Sequence, residues 1–198
     1  MQGHSQDPLE RFAALLAQAK ATPQIVEPTA MTLASVDEQG RPSARVVLLK
    51  GVDARGLVFY TNFESRKGRQ VLARPDVACT FWWGILETQV RFEGRASRVS
   101  DAEADAYFGS RPRGSQLGAW ASDQSRPLRA REDLEGRLAE VTARYEGSDV
   151  PRPPHWGGFR VVPRLVEFWK GQPSRLHLRE QYTRDTDGQA WAVSLLNP

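Results

Sequence analysis

The residues with the most chemical reach are cations and hydroxyls gathered in a few stretches. Tyr60, Thr61, Asn62, Phe63, Glu64, Ser65, Arg66 and Lys67 end an apolar run and open a helical one. Hydroxyls, two cations and helix-terminal amides therefore converge, which is the composition of an anion cup. Arg66 and Lys67 oppose the dipole at a helix N-terminus unless an anion compensates them. Residues 107–120 gather Tyr107, Ser110, Arg111, Arg113, Ser115 and several glycines, the makings of a second phosphate clamp. Arg45 and Lys50 bracket an apolar strand, and two-residue alternation sends them to opposite faces unless the strand twists or bulges. By themselves they read as two solvated edge charges. Gln89 begins a further strand, and Gln124 and Ser125 sit in a polar loop.

Several chemistries are excluded. No Gly-x-Gly-x-x-Gly or P-loop pattern occurs, and no Gly-x-Ser-x-Gly elbow. His4, His155 and His177 are far apart and form no metal-binding pair, so no metal site is expected. The single Cys79 lies in a strand-like run and reads as a small buried hydrophobe. It excludes a disulfide framework and fits a reducing, cytoplasmic setting. The first eight residues carry no basic patch followed by an apolar run, and no stretch approaches the apolar length that spans a membrane. Arg supplies 23 of the 27 basic residues, a bias toward phosphate and carboxylate recognition that codon usage could equally produce. The basic residues are interleaved with 24 acids, so nucleic acid is not expected as a partner. A protein that binds ligands and lets a cofactor carry the reaction remains.

The elements that must position these residues are mostly short strands. Asp7 and Pro8 signal a helix over residues 7–20, with Leu9, Phe12, Leu15 and Leu16 on one face. Apolar and β-branched runs at 31–36, 44–52, 57–61, 77–83 and 89–99 are separated by turn signals, with a helix at 65–73. Ser100 to Glu103 is a capping box opening a helical insertion over 100–145, whose longest helix is expected at 127–145 with its stripe in the core. Pro151, Pro153 and Pro154 break it, and strand texture returns at 158–162, 165–170 and 190–196. The expectation is a mainly antiparallel β, α+β chain of one domain over 1–198, with both sets of strands in one sheet system.

The residues 45–50, Tyr60 to Asn62 with Ser65 to Lys67, Ser110 to Arg113 with Ser115 and Gln116, Trp156 to Arg160, Glu167 to Trp169, and Arg175 to His177 occur in an order that resembles the pyridoxine/pyridoxamine 5′-phosphate oxidase family. The resemblance runs from about residue 7 to 198. It implies an FMN-binding split β-barrel with flanking helices, a homodimer with FMN at the interface. It implies oxidation of pyridoxamine or pyridoxine 5′-phosphate by O2, releasing H2O2. By resemblance the FMN positions are Arg45, Val46, Val47, Leu48, Lys50, Tyr60, Thr61, Arg66, Lys67, Gln89, Gln124, Ser125, Trp169 and Arg179. The substrate positions are Lys50, Tyr107, Arg111, Ser115, Arg175, Leu176 and His177, with Arg175 and His177 at the reacting end. A phenazine-biosynthesis flavin oxidase and a non-catalytic FMN-binding barrel are the alternatives. Three positions depart from the family pattern: Thr88 and Leu195 stand where Arg is common, and Leu178 where Asp is common. Leu178 and Leu195 are expected to replace an ion pair together. The segment before the first helix is shorter than the stretch that covers the site in relatives, so weaker closure over substrate is expected.

Overall fold

A computed structural model describes residues 7–198; the N-terminal reading of residues 1–6 lies outside the described residues. Asp7 accepts the Leu9 N–H at 2.7 Å and Pro8 fills the first turn, so α1 runs Pro8–Lys20. Its apolar face buries Leu9, Phe12, Leu16 and Ala19. Phe12 sits between the rings of Phe81 and Phe92, at 4.8 and 4.9 Å, which makes α1 the plug of the main core.

Nine antiparallel strands follow among the described residues: β1 Ala30–Val36, β2 Pro42–Leu48, β3 Gly51–Asp53, β4 Gly56–Asn62, β5 Asp76–Trp83, β6 Thr88–Arg98, β7 Trp156–Lys170, β8 Leu178–Thr183 and β9 Ala192–Leu195. The order is β2-β1-β5-β6-β7-β4-β3, with β8 on β7 and β9 on β8. The sheet curls into a split barrel, and strands from before and after the helices share it, as expected. The fifteen-residue β7 organises it. One edge of β7 is taken by β6, and the other is divided between β4 at Trp156 to Val161 and β8 at Leu165 to Lys170.

The sequence predicts two segments where β7 is continuous. Pro163 faces Gly94 at the bulge between Glu93 and Gly94, where the ladder is interrupted and its missing N–H is not needed. A Cβ on Gly94 would stand 2.2 Å from the Val162 carbonyl oxygen, so only glycine allows this crossing. Cys79 on β5 is fully buried in the same core.

Helices α2 (Arg66–Ala73), α3 (Asp101–Gly109), α4 (Arg113–Ala121) and α5 (Arg131–Arg144) complete the chain. Ser65 and Ser100 cap α2 and α3 through their hydroxyls. The expected 127–145 helix begins only at Arg131, and Leu128 is exposed. Its stripe is core in part: Val141 joins the second core and Leu134 and Tyr145 pack against it, while Leu138 is exposed. Solvated pairs such as Arg131 to Glu135 at 2.9 Å support its exposed face. The clamp stretch 107–120 is ordered into the end of α3 and α4. A second core of Phe108, Leu117, Ala121, Val141, Val150 and Trp156 holds it against the barrel.

Candidate functional site

Two groups of side chains form, one near each end of β7. The first begins at Arg45 on β2. Its Nη1 donates to the Leu33 carbonyl at 3.1 Å and Ser35 Oγ at 2.7 Å, and its Nη2 donates to Ser43 Oγ at 2.5 Å and Gln70 Oε1 at 3.1 Å. Every acceptor is neutral. Lys67, in the first turn of α2, donates to Gln124 Oε1 at 2.7 Å and Ser65 Oγ at 3.4 Å, and Thr61 Oγ1 donates to the same Gln124 oxygen at 3.4 Å. The polar loop and the strand end therefore meet.

Arg111 lies beyond, at the end of α3. Its guanidinium sits 4.7 Å from the Trp156 ring and 5.5 Å from Phe108, and its buried Nη1 has no hydrogen-bond partner among the described residues. Tyr60, Tyr107 and Trp156 pile up in parallel, with Tyr60 4.0 Å from Tyr107 and 5.4 Å from Trp156. Gly158 permits this pile, because a Cβ there would stand 2.7 Å from the Tyr60 ring. Arg111, Ser115, Asn62, Gln124 and Trp156 line one cavity of about 270 Å³.

Electrostatics mark the same residues. Burial pushes Arg45 below the ordinary arginine value, and neighbouring Arg66 adds to the shift. Burial, with Arg45 nearby, likewise lowers Lys67. Arg111 is lowered by burial. A half-buried cation with no carboxylate is costly, and two of them, Arg45 and Lys67, stand together with Arg66 beside Arg45, while Arg111 stands apart on its aromatic seat. Carboxylates hold other partly buried arginines instead. Arg160 pairs with Asp53 and Glu103, and Arg152 with Asp101 and Asp105.

The second group is a row across three strands. Gln89 on β6 faces Trp169 on β7, which faces Arg179 on β8. The His177 ring lies 4.5 Å from Trp169, and its Nδ1 accepts the Gln172 N–H at 3.2 Å. A neutral His177 therefore carries its proton on Nε2. Arg179 Nε donates to Glu167 at 2.8 Å, and Arg91 donates to the other Glu167 oxygen at 2.8 Å. Burial pushes the Glu167 carboxyl up, but the two arginines outweigh it and leave it below its usual value. Trp169, His177, Arg179, Leu178 and Leu195 line a cavity of about 680 Å³ with Arg11 and Leu15 of α1.

Other assignments are spread more widely. Lys50 is exposed beyond the end of β2 and lines neither of these cavities. The strand stops at Leu48 between Arg45 and Lys50, so simple alternation does not relate the two cations. Of the neighbouring positions, Val46 is exposed, Val47 is in the core and Leu48 is half-buried. Ser125 is exposed in left-handed backbone at φ 69°. Arg175 and Leu176 are exposed, and Ser174 and Arg175 are successive left-handed residues at φ 57° and 61°. Such backbone costs on the order of 1–3 kcal/mol per residue and concentrates at working sites. Leu178 and Leu195 share the cavity wall but are 62% and 80% exposed, so the gain expected of a buried apolar replacement does not apply within one protomer. The largest cavity, about 1160 Å³, runs along α5 and contains none of the site residues.

Sequence reasoning assigned no role to Gln70, Trp156 or Glu167. The last two lie in stretches that carry the resemblance. Gln70 had no signal beyond being a polar residue one helical turn after Lys67.

Fold and site together define a split-barrel protein with half-buried cations that no carboxylate meets. The family model described as pyridoxamine 5′-phosphate oxidase matches residues 17–145, and that of the pyridoxine 5′-phosphate oxidase C-terminal dimerisation region matches 156–198. The chain is 60% identical over 192 residues to a pyridoxine/pyridoxamine 5′-phosphate oxidase of Myxococcus xanthus, covering 97% of this chain and 92% of that one. It is 57% identical to one of Bordetella petrii, covering 96% and 89%. It superposes with TM-score 0.90 and 33% identity on PhzG from Burkholderia lata, solved with tetrahydrophenazine-1-carboxylic acid, covering 97% and 93%. The chain belongs to the pyridoxamine 5′-phosphate oxidase family, a flavoprotein family of oxidoreductases with FMN as cofactor.

Proposed function

We propose that the chain oxidises pyridoxamine 5′-phosphate and pyridoxine 5′-phosphate to pyridoxal 5′-phosphate. The amine consumes O2 and water and releases ammonia and H2O2; the alcohol consumes O2 and releases H2O2. One observation carries this reading. Arg45, Lys67 and Arg111 are half-buried cations without a carboxylate, arranged in two places, which suits two phosphorylated ligands.

Bound FMN supplies the two-electron acceptor that dioxygen regenerates. The chain's own residues bind and align. Arg45, Arg66 and Lys67 would hold the cofactor phosphate, with Thr61, Gln124 and Ser125 around it, and Tyr60 with residues 46–48 beside it. Arg111, Ser115, Tyr107 and Lys50 would hold the substrate phosphate, Arg111 using the donor left free by its aromatic seat. Gln89, Trp169 and Arg179 would flank the flavin ring, while His177 and Arg175 approach the reacting carbon. His177 would present an Nε2 proton to the amine or alcohol.

Roughly 40 Å of strand contour separates Trp156 from Trp169 on β7 at about 3.3 Å per residue. That separation, with the dimerisation region over 156–198, supports a reading in which one ligand pair draws on the two groups from different protomers. The likeness to PhzG favours a second reading, oxidation of a reduced phenazine. Purified protein is given pyridoxamine 5′-phosphate, pyridoxine 5′-phosphate or tetrahydrophenazine-1-carboxylic acid, and peroxide and aldehyde are followed. Aldehyde from the phosphorylated pyridines is expected; peroxide from the phenazine alone would replace this reading with the second.

A further inference from the structure

Gln70 on the buried face of α2 is 5% exposed. Its Oε1 accepts from Ser35 Oγ at 2.8 Å, Ser43 Oγ at 2.9 Å and Arg45 Nη2 at 3.1 Å. The oxygen has to face this way, since an NH2 group there would meet the N–H groups of the guanidinium. The amide nitrogen is then left buried with no partner among the described residues. An unsatisfied buried donor is a cost that native interiors avoid. A glutamate has the same shape, has no N–H to orphan, and would bring a carboxylate to Arg45. Elsewhere the chain meets partly buried arginines in that way, with Glu167 on Arg91 and Arg179, and with Asp53 and Glu103 on Arg160. Folding considerations alone would put a carboxylate at 70.

We propose that Gln70 is a positioning residue whose neutrality keeps the charge of Arg45 available to the cofactor phosphate. This rests on the reading that Arg45 holds that phosphate. Gln70 and the two serines fix the guanidinium in place through neutral oxygens. Arg66 stands close enough to depress Arg45 further, so the group is strongly positive until an anion arrives. A carboxylate at 70 would occupy the same donor and cancel the charge that phosphate needs.

The test uses the full chain stripped of flavin and titrated with FMN and with riboflavin, which lacks the phosphate, following flavin fluorescence. Gln70→Glu is expected to weaken FMN binding by about tenfold or more, to leave riboflavin binding unchanged, and to leave the flavin-free protein at least as resistant to heat. Ser43→Asp, which reaches the same Nη2 from β2, is expected to give the same phosphate-specific loss and serves if Gln70→Glu does not fold. Equal losses for both flavins, or no loss of FMN affinity, would overturn the proposal. Arg45→Ala separates the two levels. If it keeps the preference of the wild type for FMN over riboflavin, the reading of Arg45 fails; if it abolishes that preference and Gln70→Glu does not, the role of Gln70 alone fails.

Discussion

Arg111 and Glu167 show two ways of keeping charge inside a small barrel. Arg111 rests on aromatic faces, which attract the cation but leave its buried Nη1 without a partner among the described residues. Arg111→Ala is expected to raise the KM for pyridoxamine 5′-phosphate by about ten- to a hundredfold with a smaller change in kcat, because a charge-assisted phosphate contact contributes roughly 1.5–3 kcal/mol. Steady-state kinetics measure both. Glu167 is held by Arg91 and Arg179. Since its carboxyl lies below the ordinary 4.5, its contribution to stability is complete above that pH and is lost as pH falls through the lowered value. Glu167→Gln is expected to cost about 2 kcal/mol at neutral pH, less than a fully buried pair because both arginines keep part of their surface in water. Denaturant unfolding at pH 7 and pH 3.5 measures this, with the difference between wild type and variant shrinking at the lower pH.

At the scale of elements, the Gly158 position governs the site. Gly158→Ala would drive a methyl into the Tyr60 ring and displace the pile on which Arg111 rests. A loss of about 1–3 kcal/mol is expected, together with weaker substrate binding, read by thermal unfolding and KM. The helix α1, the cap of α3, and most strands were legible in the sequence because local signals coincide there. Asp7 before Pro8 and the alternation around Cys79 are examples. The continuity of β7 was not legible, because Pro163 breaks the local pattern and only its partner Gly94 explains why it is tolerated. The start of α5 was also misplaced, since a weakly buried helix carries little core signal. In the site, clustered cations and hydroxyls were visible as anion-binding material. The cross-strand row of Gln89, Trp169 and Arg179 depends on register between distant segments, and spacing alone cannot supply that.

For the whole molecule, the separation of the two groups along β7 makes a test by complementation possible. Arg45→Ala removes a residue of the first group and Arg179→Ala one of the second. Each homodimer is expected to be nearly inactive. After unfolding and refolding an equal mixture, about one quarter of wild-type activity is expected, because half the dimers are mixed and each has one intact site of two. An activity no higher than that of the separate variants would mean that both groups serve one ligand pair within a protomer.

Cys79 offers a way to watch all of this without an introduced cysteine. Its thiol is fully buried in β5, and burial pushes its pKa up to about 12. A thiol-reactive dye therefore finds nothing to attack until the barrel parts, and the chain has a single such group to count. The rate of dye uptake becomes a clock for rare opening events, and adding FMN should slow that clock in proportion to the fraction of chains that have captured it.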